Sequence, residues 1–228
     1  MSTTNNKHIS FKILLYFALF SAGVILSGCQ TTNIKQDYSF DKNADTALII
    51  GSVTQTENAG LPTNAEFYID YNGKYQKQLF AKQKTTLGYL GVVNEFENTG
   101  VAGRIFVIEL PAGQHVMNHW RIEYGDGSGF ILYPKVPPPT LTFSLEARQI
   151  VYLGNFHMEI KTGKGWLGQT LPTTGIPIIN DEHERDIKFF KERYPQFASR
   201  EIIINVIHSG PWVSESQLDE ELSIPKAE

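Results

Sequence analysis

The chain has 228 residues, of which 20 are basic and 24 acidic, so its formal net charge at pH 7 is −4. A mildly acidic chain lacks the basic face that binding to a nucleic-acid backbone requires, and we therefore expect no nucleic-acid partner. Its one cysteine cannot form an internal disulfide, and its length suits a leader followed by one folded domain.

The first 28 residues have the order of a secretory signal peptide. Lys7 and Lys12 form a basic start, and residues 13–26 follow as fourteen residues without a charge. This apolar run is too short to cross a bilayer as a helix. Leu26-Ser27-Gly28-Cys29 resembles the bacterial lipobox. The resemblance implies that residues 1–28 are removed and that Cys29 becomes the first residue, carrying palmitate-type acyl chains.

Residues 29–46 are predicted to be the lipidated cysteine and a flexible polar tether. Several acyl chains hold a protein on a membrane firmly, at ~0.8 kcal/mol per buried methylene. Gln30 stands where an aspartate retains lipoproteins in the inner membrane of well-studied enteric bacteria. That resemblance implies an outer-membrane lipoprotein on the periplasmic face, whose membrane contact is made through Cys29.

Short strands with turn signals between them recur about every ten residues, a spacing typical of an antiparallel β-sandwich. Asn72-Gly73 between two alternating segments predicts a hairpin, because a tight turn needs positive φ at both positions. Leu141, Phe143 and Leu145 share one strand face, which we expect to be buried. The predicted strands are 47–53, 65–71, 74–80, 104–110, 114–124, 141–145, 150–160 and 201–207.

One helix is predicted, over residues 181–194, with Pro195 as its stop. Asp181 and Glu184 lie in capping-box positions, and acidic residues precede basic ones as the helix dipole favours. The expected buried stripe consists of Ile187, Phe190 and Tyr194. The folded domain is thus predicted over 47–212, and the acidic tail 213–228, which has little to bury, is predicted to be disordered.

Two pieces of the chain resemble a group of uncharacterised bacterial lipoproteins with a prealbumin-like (transthyretin-like) β-sandwich. Residues 106–115 form an apolar strand that runs into the turn Pro111-Ala112-Gly113-Gln114-His115. Residues 141–143, with the strand ending in Tyr152-Leu153-Gly154, form the second piece. The resemblance implies a prealbumin- or Ig-like sandwich, with residues 155–180 as a long insertion, and it transfers no catalytic residue.

No motif for catalysis, phosphate binding or dinucleotide binding is present in the sequence, so we expect no catalytic residue and no cofactor. His115 and His119 have i, i+4 spacing. On a strand that spacing separates them by about 13 Å, too far to share a metal ion. We therefore interpret both as ordinary strand histidines and expect no metal site.

Trp166 is the candidate binding residue. It follows the glycine- and lysine-rich segment 161–165, which predicts a loop. Its indole is either an exposed anchor for a partner or a plug that packs on the sandwich. We expect the plug, because large aromatic residues beside glycines more often seal a loop than display a binding surface.

Two functions remain open for the exported domain. The first is a non-enzymatic envelope module that binds a protein or glycan partner while the lipid holds it on the membrane. The alternative is a periplasmic hydrolase acting on cell-wall or glycan material, with Glu95, Glu97 or Asp126 as acid and base. A cleft that holds two carboxylates about 5–9 Å apart would distinguish the hydrolase.

Overall fold

The computed structural model describes residues 33–40, 45–56, 63–73, 77–82, 94–96, 101–125 and 129–214. The predicted signal peptide, Cys29 and residues 215–228 of the predicted tail lie outside these residues. The described strands are β1 (Thr46–Thr56), β2 (Thr63–Ile69), β3 (Lys77–Phe80), β4 (Val101–Pro111), β5 (Gly113–Tyr124), β6 (Phe130–Leu132), β7 (Leu141–Leu145), β8 (Ile150–Lys164), β9 (Thr170–Asn180), β10 (Ile203–Ile204) and β11 (Gly210–Pro211). Helix α1 (His183–Arg193) and a 3₁₀ helix (Pro195–Phe197) follow β9. The protein is mainly β, as predicted.

The first sheet has the strand order β11-β9-β8-β1-β4, and β10 also pairs with β8. β1 is antiparallel to β4 but parallel to β8. The prediction of an antiparallel arrangement is therefore wrong for this central pair. Parallel strands need a long connection between them, and here the chain passes through the whole second sheet on its way from β1 to β8.

The second sheet has the order β3-β2-β5-β6, with β7 also paired to β5, and its strand pairs within the described residues are all antiparallel. The hairpin predicted around Asn72-Gly73 is confirmed as β2 and β3, but its connection is wider than two residues because Ile69 faces Lys77. Asp70, with φ of 54°, leaves the ladder with β3. Its backbone N–H donates instead to the carbonyl of Val116 in β5, at 2.8 Å.

One hydrophobic cluster takes residues from both sheets, which therefore pack face to face. The ring of Phe67 in β2 lies 5.6 Å from that of Phe156 in β8 and 6.3 Å from that of Trp212. Phe143 and Leu145 are buried in this cluster while Thr142 and Ser144 between and beside them are exposed, so the predicted face of β7 is confirmed.

Helix α1 covers the outer face of the first sheet, where a second hydrophobic cluster joins it to β1, β4 and β8. The predicted helix is confirmed, and Phe190 and Tyr194 of the expected stripe are buried. The predicted capping box is not formed: Asp181 accepts a bond from the backbone N–H of His183 at 3.2 Å, which starts the helix two residues late. Among the described residues, no helix is both long and apolar enough to cross a membrane.

Residues 155–180, predicted as an insertion, instead continue the first sheet. β8 runs on to Lys164, and β9 returns antiparallel to it. Pro172 and Pro177 in β9 disguise this strand in the sequence, because proline cannot donate to a ladder and normally argues against a strand. Conversely, the strand predicted over 201–207 is reduced to the two residues of β10.

Residues 33–40 pack against the folded domain, so the prediction of a flexible tether is wrong for this segment. Ile34 donates its backbone N–H to the carbonyl of Val107 in β4, at 2.8 Å. β4 is the edge strand of the first sheet, and an edge strand presents unpaired backbone groups that a neighbouring segment can satisfy.

Candidate functional site

Trp166 lies at the tip of the β8–β9 hairpin, with 90% of its surface exposed, and Leu167 beside it is 70% exposed. The expectation that Trp166 seals a loop against the domain is therefore wrong. The reason is the length of the hairpin. β9 still lies against the second sheet at Gly175, which approaches Ile122 of β5. Thr170, five residues nearer the tip, is about 16 Å further along the strand.

The turn that carries Trp166 is closed by its own hydrogen bonds. Gly165 donates its backbone N–H to the carbonyl of Gln169 at 2.8 Å, and Gly168 donates to the carbonyl of Gly165 at 2.9 Å. The side-chain oxygen of Gln169 accepts the backbone N–H of Leu167 at 3.0 Å. Gly168 has φ of 79°, a conformation that favours glycine. The two apolar side chains are thus displayed on an ordered turn.

The hairpin tip is cationic as well as apolar. Residues 160–180 contain two charged side chains, Lys161 and Lys164, and no acidic one. Lys161 is paired with Glu159 at 2.6 Å, further down β8, whereas Lys164 donates to the hydroxyl of Thr170 at 3.1 Å. Lys164, two residues before Trp166 in the sequence, is therefore held by a neutral partner.

A β-bulge in the pairing of β5 with β2 separates the two histidines of the predicted strand. The ring nitrogens of His115 are both in use, Nδ1 with the carboxylate of Asp70 at 2.7 Å and Nε2 with the carbonyl of Pro111 at 2.8 Å. His119 stacks on Tyr71 instead, with ring centroids 4.1 Å apart. Within the described part of the chain, no three His, Cys, Asp or Glu residues are grouped so as to hold a metal ion.

A buried polar cluster under the start of α1 is the feature that sequence reasoning missed. Ser52 donates its hydroxyl to Asp186 at 2.6 Å, and Asn155 donates to the Ser52 oxygen at 2.7 Å. Arg185 contacts Asp186 at 2.9 Å and Ser52 at 3.0 Å, and the Tyr152 hydroxyl donates to Asp186 at 3.2 Å. These residues come from β1, β8 and α1, so no local spacing in the sequence indicates the cluster.

The electrostatics of this cluster are dominated by burial. Burial raises the pKa of Asp186 above its usual value, although Arg185 and the hydroxyl donors favour the carboxylate and oppose the shift. The pKa of Tyr152 is also raised, by burial and by the charge of Asp186. Asp186 is thus the acceptor through which helix α1 is bonded to the first sheet, and Tyr152 stays protonated and donates to Asp186.

Next to this cluster, the Thr54 hydroxyl lies 2.9 Å from Nδ1 of His157. A hydroxyl beside an imidazole is the pairing of a nucleophile with its base. Here Thr54 is 1% exposed, and the Ser52 hydroxyl is bound to Asp186 rather than to His157. Burial lowers the pKa of His157, so its ring is neutral near pH 7. The Thr54 hydroxyl therefore lies in the protein interior, out of contact with solvent.

Of the three carboxylates considered for a hydrolase, Glu95 is described, and Glu97 and Asp126 lie outside the described residues. One oxygen of Glu95 accepts the backbone N–H of Ile105 at 2.8 Å, and the other pairs with Arg193 at 2.8 Å. Both oxygens are therefore engaged in holding the edge of β4 and the end of α1.

Comparisons of the chain with protein-family models, with curated proteins and with solved structures found no match. Over the described residues the fold is a mainly β domain with two sheets and one α-helix, and the Trp166-Leu167 tip extends past the second sheet.

Proposed function

We propose that this protein is a lipid-anchored envelope protein whose folded part is a non-enzymatic binding module. In this proposal the acylated Cys29 holds it on the periplasmic face of the outer membrane. The signal-peptide order of residues 1–28 and the lipobox-like residues before Cys29 support the anchor. Two sheets around one shared core support a β-sandwich, and the resemblance of residues 106–115, 141–143 and 150–154 supports the prealbumin-like kind.

The observation that carries the binding role is the exposure of Trp166 on an ordered turn. Large aromatic residues dominate binding energy when a partner covers them, and a preorganised turn lowers the entropy cost of doing so. Almost all of the Trp166 side chain and most of the Leu167 side chain are exposed to solvent in the free domain. The nearby Lys164 and the absence of acidic residues in 160–180 favour an envelope protein or glycan that carries negative charge.

The test of the binding role is capture of partners by the full-length lipidated protein, extracted with detergent from its own envelope. We expect the Trp166→Ala/Leu167→Ala variant to lose the envelope component that the wild type captures. Ile204→Ala is the matched control, because Ile204 is 49% exposed but lies in β10, outside the hairpin. Both variants should keep the wild-type melting temperature, since surface substitutions change stability by about 0.5 kcal/mol or less. Retention of the same component by the tip variant would refute the proposed surface.

The test of the anchor is Cys29→Ser. Without a thiol to acylate, the variant should remain unprocessed or leave the detergent phase on partitioning. Mass spectrometry of the wild type should find a mature chain that begins at acylated Cys29. Normal processing and partitioning of the serine variant would contradict the lipoprotein assignment.

A further inference from the structure

The segment 33–40 completes the open edge of the first sheet. The side-chain amide of Asn33 acts like a peptide group of a neighbouring strand: it donates to the carbonyl of Ile105 at 3.2 Å and accepts from the N–H of Val107 at 2.9 Å. Ile34 adds a backbone bond to the Val107 carbonyl at 2.8 Å. These bonds satisfy edge groups of β4 that would otherwise remain open to another chain.

Further along the segment, Tyr38 and Phe40 act as anchors. The Tyr38 hydroxyl donates to the carboxylate of Glu109 at 2.6 Å, and burial together with this bond raises the pKa of Tyr38 to about 12. The Tyr38 and Phe40 rings lie 6.3 and 5.9 Å from Phe197 of the 3₁₀ helix. Two aromatic side chains thus fix the segment to both β4 and the end of the helical region.

The helical region also binds the backbone of the segment. The Tyr194 hydroxyl donates to the carbonyl of Ile34 at 3.0 Å. The side-chain amide of Gln196 donates to the carbonyls of Gln36 at 2.7 Å and Tyr38 at 3.2 Å. The segment is therefore held from two sides, by β4 and by the residues that follow α1.

We infer that this docked segment is a strap that holds the domain against the bilayer in which the acylated Cys29 sits, with the β4 edge next to the lipid. The inference rests on the lipid anchor proposed above. Residue 33 follows residue 29 by four peptide steps, which span at most about 14 Å. If the strap were free up to Thr46, where β1 begins, seventeen steps would span at most about 60 Å.

The strap also sets where the Trp166 tip stands. Ile105 faces Ser52, and Ser52 faces Asn155 of β8, so the strap meets the sheet at the level of Asn155. Lys164, the last residue of β8, is nine residues further along, or about 30 Å. The docked strap therefore places the binding tip well away from the point of attachment to the membrane, and its release lets the whole domain move off the bilayer.

The test measures the distance between domain and membrane in the lipidated full-length protein. The protein is reconstituted in phosphatidylcholine vesicles that contain an acceptor-labelled lipid, and a donor dye is attached through Lys188→Cys on the exposed side of α1. We expect efficient energy transfer for the wild-type strap. The strap variant Asn33→Ala/Tyr38→Ala/Phe40→Ala should lower the transfer at least about twofold, because the free linker extends several-fold further. Gln36→Ala/Ser39→Ala, two exposed positions of the same segment, is the matched control and should behave as wild type.

A second variant leaves the strap intact and inserts a Gly/Ser linker of about twelve residues between Thr32 and Asn33, whose added root-mean-square reach is about 20 Å. This linker variant keeps every strap residue and should also lower energy transfer, so the strap can be tested even if the triple variant does not fold. Hydrogen exchange on vesicles should show protection of the Ile34 amide in the wild type. Unprotected exchange there, or equal energy transfer in wild type and linker variant, would overturn the strap. Failure of the wild type, like Cys29→Ser, to bind vesicles would instead overturn the anchor.

Discussion

Replacing Asp186 by alanine removes the acceptor on which the polar cluster under α1 converges. Asp186 is 2% exposed and receives bonds from Ser52, Tyr152 and Arg185. Removing one partner of a buried ion pair costs about 3–5 kcal/mol, because the remaining charge is uncompensated. Arg185 is 24% exposed, so water can solvate part of its charge, and we expect the lower end of this range, about 3 kcal/mol. At about 2–4 °C per kcal/mol, the melting temperature should fall by about 6–12 °C.

Glu182→Ala is the matched control, because Glu182 approaches the same guanidinium. Its carboxylate lies 3.8 Å from Arg185 and its side chain is 44% exposed, so the pair should contribute less than about 1 kcal/mol. Urea unfolding of both variants, followed by circular dichroism, measures the difference. Equal stability of Asp186→Ala and Glu182→Ala would refute the view that the polar cluster stabilises the packing of α1 on the first sheet.

Asp186→Asn adds a pH dependence with a defined sign. Burial raises the pKa of Asp186 above its usual 3.8, so between 3.8 and the raised value the folded state keeps a proton that the unfolded state has released. The wild type therefore loses stability from this group as pH rises through that window. The asparagine variant cannot titrate there, so its deficit relative to the wild type should narrow as pH rises. Urea midpoints of the wild type and of Asp186→Asn, measured from pH 3.8 upwards, test this prediction. A stability difference between the two proteins that widens as pH rises would contradict it.

Two further substitutions probe the core. Phe143→Ala should lower the free energy of unfolding by about 3–5 kcal/mol, because Phe143 is buried between the sheets. Thr142→Ala, on the exposed face of the same strand, should leave stability nearly unchanged. If thermal melts rank the two variants the other way, the buried face of β7 is assigned wrongly. Gly51→Ala should cost about 3 kcal/mol or more, because the new Cβ would lie 2.4 Å from the backbone oxygen of Gly154. A Cβ added at Gly73 would have no atom within 4 Å, so Gly73→Ala should lower the free energy of unfolding only by the cost of its positive φ, about 1–2 kcal/mol. Equal urea midpoints for Gly51→Ala and Gly73→Ala would argue against the close approach of β1 and β8.

Elements whose signals are local in the chain were predictable from the sequence. Helix α1 follows from the spacing of Phe190 and Tyr194 and from Pro195 after its end, and β7 follows from the alternation around Phe143. In each case the side chains that share a face are fixed by the period of the element itself. The extra length of the β2–β3 connection was not predictable, because Asp70 is drawn out of the hairpin by a hydrogen bond to β5.

From the sequence, Trp166 could be singled out as a candidate binding residue, but its exposure could not be predicted. Trp166 stands out in the sequence beside glycines and lysines, but its exposure depends on how far β8 and β9 extend past the second sheet, and the prolines of β9 hide that strand. The polar cluster of Ser52, Asn155 and Asp186 was not predictable at all. Its members are separated by 103 and 134 positions along the chain, so only the pairing of β1 with β8 and the docking of α1 bring them together.

The sequence by itself determined the mainly β character, helix α1, the buried face of β7 and the leader-like order of residues 1–28, because periodicity, turn residues and composition act over a few neighbours. Tertiary structure alone decided that β1 and β8 run parallel, that residues 33–40 cover the edge of β4 instead of forming a free tether, and that Trp166 faces water. Each of these depends on contacts between segments far apart in the chain, where unsatisfied edge groups and apolar faces find their partners only once both sheets are in place.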